Sequence, residues 1–152
     1  MLDRILKLLT HGDAAAASAH LDDLQLAVAA LLVEAARMDD RFDPSERGII
    51  ENLLSSRFAL SAEEARHLLN AAERAVDQST QLFRFTQMVA QKLSLSERVR
   101  IVEMLWEVAY ANGVLAPQED ALIRRIAGLV YVPDSDRTAA RRRIRQRRGM
   151  AD

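Results

Sequence analysis

Cysteine is missing from all 152 residues, which excludes a disulfide framework, thiolate metal sites and a cysteine nucleophile together. Any metal this chain holds must be bound through oxygen or imidazole. Aromatic residues make up only 5%, beside five glycines and three prolines, in a chain that is 49% hydrophobic. Sheets draw heavily on aromatic and β-branched side chains, so this balance points to helices packed through alanine and leucine, an all-α protein. No apolar run approaches the roughly 18 residues needed to cross a bilayer. The charged region, apolar core and small-residue cleavage site of a signal peptide are also missing from the first residues. The expected location is the cytoplasm.

What is present is organised around residues 34–46, E-A-A-R-M-D-D-R-F-D-P-S-E, which place the acids Glu34, Asp39, Asp40, Asp43 and Glu46 within thirteen positions. The stretch reads as the end of an apolar helix, an acidic turn and the start of a second helix. A degraded copy lies 73 residues on, with Glu107 under Glu34, Asn112 under Asp39, Gly113 under Asp40, Pro117 under Pro44 and Glu119 under Glu46. Flanking apolar positions follow the same offset: Leu31 with Met104, Phe42 with Leu115, Ile49 with Leu122 and Ile50 with Ile123. Internal repetition fixes architecture. Here it predicts one domain of about seven helices built from two helix-turn-helix pseudo-repeats.

Along the chain, residues 1–9 carry Leu2, Ile5, Leu6 and Leu9 on one helical face, opposite Arg4 and Lys7. This segment is expected to dock on the body or on a partner, with an interfacial membrane anchor as the alternative. Residues 10–20 lack periodicity and read as a linker holding His11 and His20, so the chain divides into 1–20, a helical domain 21–133 and a basic segment 134–152. From Leu21 to Met38 the pattern is apolar nearly all round, as for a buried helix. Capping boxes are read at Asp43-Pro44-Ser45-Glu46, Ser61–Glu64 and Ser94–Glu97. Leu82, Phe83, Phe85, Met88 and Val89 form the apolar side of a helix ending near Leu93, and Asp134 is expected to cap the last helix.

Glu34 is the odd residue, a carboxylate on a buried helix that needs a cation, hydrogen-bond donors or a proton. Carboxylates from a helix end, a turn and the next helix start can converge, and oxygen-only ligands suit Ca2+ or Mg2+. The candidate metal ligands are Glu34, Asp39, Asp43 and Glu46, with a weaker second set of Glu107, Asn112 and Glu119. D-D-R-F-D lacks the alternating ligands and central glycine of an EF-hand. The bland alternative makes Asp43 and Glu46 helix caps, Asp39 and Asp40 solvated turn residues, and Glu34 the partner of an arginine. Capping does not explain an acid repeated mid-helix in both copies. No nucleophile–base pair is visible, since Ser61, Ser94 and Ser96 read as caps and His67 as a surface residue, so a non-enzymatic protein is expected.

The block at 34–46, together with L-F-R-F-T at 82–86 and L-W-E-V-A-Y-A-N-G-V-L-A-P-Q-E at 105–119, resembles the TerB-like family, named for bacterial tellurite-resistance clusters. The resemblance covers about residues 24–130. It implies an all-helical fold of about seven helices in two pseudo-repeats, with the acidic positions as candidate ligands for a divalent metal and a role in stress-response or membrane-associated assemblies. The family pattern is Asp-Gly followed by a Glu that begins the next helix. Here Asp39 is followed by Asp40, and Gly113 is preceded by Asn112.

Charge is split along the chain. Of its 21 basic residues seven are arginines within 137–148, leaving 14 against 22 acids elsewhere, about −8 for the body. That segment could meet an anionic membrane surface or an acidic protein. Without aromatics to stack bases, and with an acidic body beside it, nucleic acid is not expected as a partner. The bland account is a fraying basic helix that complements its own C-terminal dipole and the acidic body. Protein partners are expected, with the chain peripheral at the inner face of the membrane as a variant of the cytoplasmic location.

Overall fold

A helix with apolar residues on every side has to sit in the middle of a fold, and two stretches of this sequence meet that description. The computed structural model describes residues 13–39, 44–78, 82–111 and 115–150, with side chains from Asp23 onward except that of Asp39. The first buried helix is α1, Asp13–Ala36, continued by a 3-10 turn at Arg37–Asp39. The others are α2 Pro44–Phe58, α3 Ala62–Gln78, α4 Leu82–Lys92, α5 Leu95–Ala109, α6 Pro117–Leu129 and α7 Asp134–Arg147. Seven α-helices and no strand occur among the described residues.

Residues Ala27 to Val33 of α1 are at most 1% exposed, and in α5 Ile101, Val102, Leu105 and Trp106 are equally sealed. These two helices pack on each other; α1 is enclosed further by α2, α3, α4 and α6, and α5 by α2, α6 and α7. The 73-residue offset reappears in the helix ends. Ala36 and Ala109 close the central helices, Pro44 and Pro117 open their partners, and Ile50 and Ile123 are both fully buried. The acids at the matched positions, Glu46 and Glu119, are each the third residue of their helix and only 2% exposed.

Several sequence expectations change. Residues 10–20 do not form a linker throughout, because α1 already starts at Asp13. The run Ala14–Ala17 is the strongest kind of helix former, and propensity alone extends the helix where no apolar stripe announces it. His20 lies in that helix, while residues 1–9 and His11 fall outside the described residues. Phe83, expected on the apolar side of α4, is 60% exposed, whereas Thr86 and Val89 are buried there. Thr86 meets burial by donating its hydroxyl to the Phe83 carbonyl at 2.9 Å.

Asp134 is the first residue of α7 rather than its cap. Pro133 stands at the cap with extended backbone, and the Asp134 carboxylate accepts from Arg137 at 2.9 Å. The boundary drawn at 133/134 cuts off a helix the body uses, since Ala140 and Ile144 of α7 are fully buried members of the core.

Three helices end alike. Leu60 N–H donates to the Ser55 carbonyl at 3.0 Å, Val132 to Ala127 at 2.9 Å and Met150 to Arg145 at 2.8 Å. In each case the preceding residue, Ala59, Tyr131 or Gly149, has positive φ. This is the Schellman closure, which favours glycine at the left-handed position. Tyr131 holds it at φ 58° while 75% exposed, so its side chain returns little packing for the strain. Tyr131→Gly is expected to stabilise the protein by about 0.5–1 kcal/mol, read as a higher urea midpoint at unchanged m-value.

Candidate functional site

The first acidic turn lies where α1 ends against α2. Glu34 sits half-buried two residues before the end of α1, and desolvation raises its carboxyl above the ordinary value of 4.5, partly offset by the Arg37 guanidinium. Arg37 is shared. It donates to Asp77 Oδ1 at 2.5 Å and approaches Glu73 Oε2 at 3.9 Å, both on α3. Arg47, one residue past Glu46, donates to Glu73 and to Asn70 Oδ1 on the same helix. Two arginines flanking the turn therefore tie α1 and α2 to one acidic face of α3. This network was missed in the sequence, although both arginines adjoin the acidic block. Its α3 partners lie 23 to 40 residues away, beyond any local pattern.

Of the four candidate ligands, Glu34 and Glu46 are placed on adjoining ends of two packed helices. The side chain of Asp39 and the whole of Asp40 and Asp43 lie outside the described residues, and so does Asn112 in the second turn. Among the described residues no three His, Asp or Glu side chains converge on one point. The two placed carboxylates fit a hard cation in kind. Glu34 bears a desolvation cost that positive charge would relieve, and Glu46 is 2% exposed.

The second turn is chemically different. Glu107 pairs with Arg147 at 3.6 Å across to α7, and Glu119 Oε1 accepts the Ala116 N–H at 3.3 Å as half a capping box. Where Arg37 stands in the first copy, the second has Tyr110. Its ring stacks with Trp106 at 6.1 Å between centroids and its oxygen accepts from Arg141 at 2.8 Å. With the Glu107 charge already met by an arginine, the second turn fits a cation poorly.

Two of the three serines read as caps are caps, while Ser96 is the second residue of α5 with its Oγ 3.2 Å from that of Ser94. Ser61 Oγ accepts from Glu64 N–H at 3.1 Å and Ser94 Oγ from Glu97 N–H at 3.3 Å, each with the reciprocal bond from its glutamate. Bonds from Ser94 and the neighbouring Arg57 lower the Glu97 carboxyl, the Ser94 backbone N–H contributing most. His67 is exposed beside Glu63 at 3.8 Å, one helical turn away. Two hollows are described, about 460 Å³ among α1, α3 and α4 and about 360 Å³ between α2 and α5, and neither is lined by Glu34 or Glu107. No helix among the described residues is long and apolar enough to cross a membrane.

The comparison with curated proteins and that with solved structures each gave no match. A family model described as tellurite resistance protein TerB matches residues 25–142, from the first buried turn of α1 to the middle of α7. With both central helices, both acidic turns and most of the core inside that span, the chain belongs to the TerB family.

Proposed function

We propose that this TerB-family chain is a non-enzymatic module whose first acidic turn takes a divalent cation, Ca2+ or Mg2+, and so sets the surface it offers to protein partners. The observation that carries the reading is Glu34, a carboxyl desolvated at the end of a buried helix whose nearby cation, Arg37, is drawn away to Asp77 and Glu73. Glu34, Asp39, Asp43 and Glu46 would hold the ion. Its chemistry there is electrostatic, neutralising carboxylates across a helix–turn–helix and tightening the turn. Binding of this kind stabilises the folded state by mass action and can bias an interaction surface. The setting proposed is a bacterial stress-response or membrane-associated assembly in the cytoplasm or at the inner face of the membrane, with the exposed arginines of α7 available to anionic lipid. Capping serines and an exposed histidine support the absence of catalysis.

A metal-free scaffold is the second reading, favoured by the second turn, where Glu107 and Glu119 serve an ion pair and a cap.

The test is a set of melts of EDTA-stripped protein against pH, with and without millimolar Ca2+, Mg2+ or Mn2+. A carboxyl raised in the folded state binds its proton more tightly there than in the unfolded chain. Stability at this group is therefore lost as pH rises from 4.5 through the raised folded value. Without cation, Glu34→Gln is expected to flatten that decline and to melt above the parent at neutral pH. With cation the parent is expected to recover and Glu34→Gln and Asp39→Ala are not. Superimposable melts with and without metal would sink the cation reading and leave the scaffold.

A further inference from the structure

Of the seven arginines within 137–148, three meet carboxylates: Arg137 pairs with Asp134, Arg143 with Glu103 and Arg147 with Glu107. Arg141 and Arg145 point to a different group. Both donate to one atom, the Tyr110 hydroxyl oxygen, Arg141 from Nε at 2.8 Å and Arg145 from Nη1 at 3.3 Å. We propose that these two guanidiniums, gathered by Tyr110 and Trp106, form a binding site for a phosphate dianion, either inorganic phosphate or the head of a phosphate monoester. The proposal is independent of the cation reading at the first turn.

Charge gives the ligand its class. Residues four apart on a helix are neighbours on one face, where like charges repel. The oxygen that draws these two together is a neutral phenol and brings no counter-charge. A phosphate monoester carries close to two negative charges near pH 7, matching two guanidiniums, whereas a carboxylate or a phosphodiester carries one. Arg148, three residues past Arg145 on the same face, adds to the positive field.

Donor geometry gives the ligand its place. Two nitrogens that reach one oxygen are close enough to be bridged by a single tetrahedral anion. Among the described residues Arg141 donates only through Nε, which leaves both of its terminal nitrogens for the ligand. A planar fork of this kind suits phosphate oxygens.

Preorganisation separates this pair from a solvated basic tail. The Arg141 guanidinium lies 5.5 Å from the Trp106 ring and that of Arg145 5.6 Å from the Tyr110 ring, and the two rings stack on each other. Both arginines are partly buried, while Arg142 is exposed. The rotamer freedom of the pair is therefore already lost on folding, and binding does not have to remove it.

The test is a titration of the full chain with inorganic phosphate, followed by broadening of the phosphorus NMR signal against chloride at matched ionic strength. Saturable binding at millimolar phosphate is expected, weakened about tenfold or more by Arg141→Gln or Arg145→Gln. Arg142→Gln removes the same charge from the same helix and is expected to leave the affinity unchanged. Arg141→Lys keeps the charge without the fork and should still weaken binding, which serves if Arg141→Gln disturbs folding as judged by circular dichroism. A second arm sediments the chain with phosphatidic acid vesicles, whose heads are monoesters, and with phosphatidylglycerol vesicles, whose heads are diesters. Arg141-dependent binding to phosphatidic acid alone, without binding of free phosphate, would support the site and make a lipid head its ligand. Equal losses from Arg141→Gln and Arg142→Gln would overturn the proposal, since only diffuse charge would be at work. Absence of binding in both arms would overturn it as well.

Discussion

Ile144→Ala is expected to lower the unfolding free energy by about 2–5 kcal/mol, as for a fully buried isoleucine truncated in a packed core. Arg142→Ala, two positions away on the same helix, should stay within about 0.5 kcal/mol. The contrast follows from where the two side chains go. Ile144 is fully buried and belongs to the continuous core, while Arg142 is exposed and forms no ion pair among the described residues. Between them the arginines of α7 are sorted by face. Arg141 lies 5.5 Å from the Trp106 ring and Arg145 lies 5.6 Å from that of Tyr110, while Arg143 and Arg147 reach Glu103 and Glu107. A segment that reads as a basic tail thus closes one side of α5. Urea unfolding of the two variants decides the matter. If Ile144→Ala unfolds like the parent, α7 is an appendage and its burial contributes nothing to stability.

The sequence legibly marked what depends on neighbours in the chain. The Ser61 and Ser94 capping boxes, the buried course of α1 and the matched acids Glu46 and Glu119 all follow from patterns a few residues wide or from the 73-residue repeat. The start of α1 was misplaced because an alanine run carries helix propensity without amphipathic periodicity. The role of α7 was hidden because only Ala140 and Ile144 of its fourteen residues are buried, too few to stand out among seven nearby arginines. Its partners are also some forty residues away on α5. For the candidate site, burial around Glu34 was readable from the apolar residues on either side. The diversion of Arg37 and Arg47 to α3 was not, since it depends on how α3 packs across the turn.

Removing Arg143 is expected to cost about 1–3 kcal/mol, less than a fully buried ion pair and more than an exposed one. The reason is asymmetry of burial. Glu103 is 8% exposed and accepts from Arg143 Nε at 2.7 Å, whereas the Arg143 side chain is 47% exposed and keeps much of its hydration. Arg143→Ala would leave Glu103 with Arg100 at 3.3 Å, itself partly solvated, so the cost lies chiefly in the stranded carboxylate. Neutralising that carboxylate should therefore rescue the loss. A cycle of Arg143→Ala, Glu103→Gln and the double variant is expected to show a coupling of about 0.5–1.5 kcal/mol, with the double variant more stable than Arg143→Ala alone. The single tryptophan, Trp106, lies one turn from Glu103 and beneath Arg141, so its emission reports whether α7 stays seated in each variant. Additive losses, with no rescue by Glu103→Gln, would mean that the arginine contributes through its stem packed along α5 and that the charges are incidental.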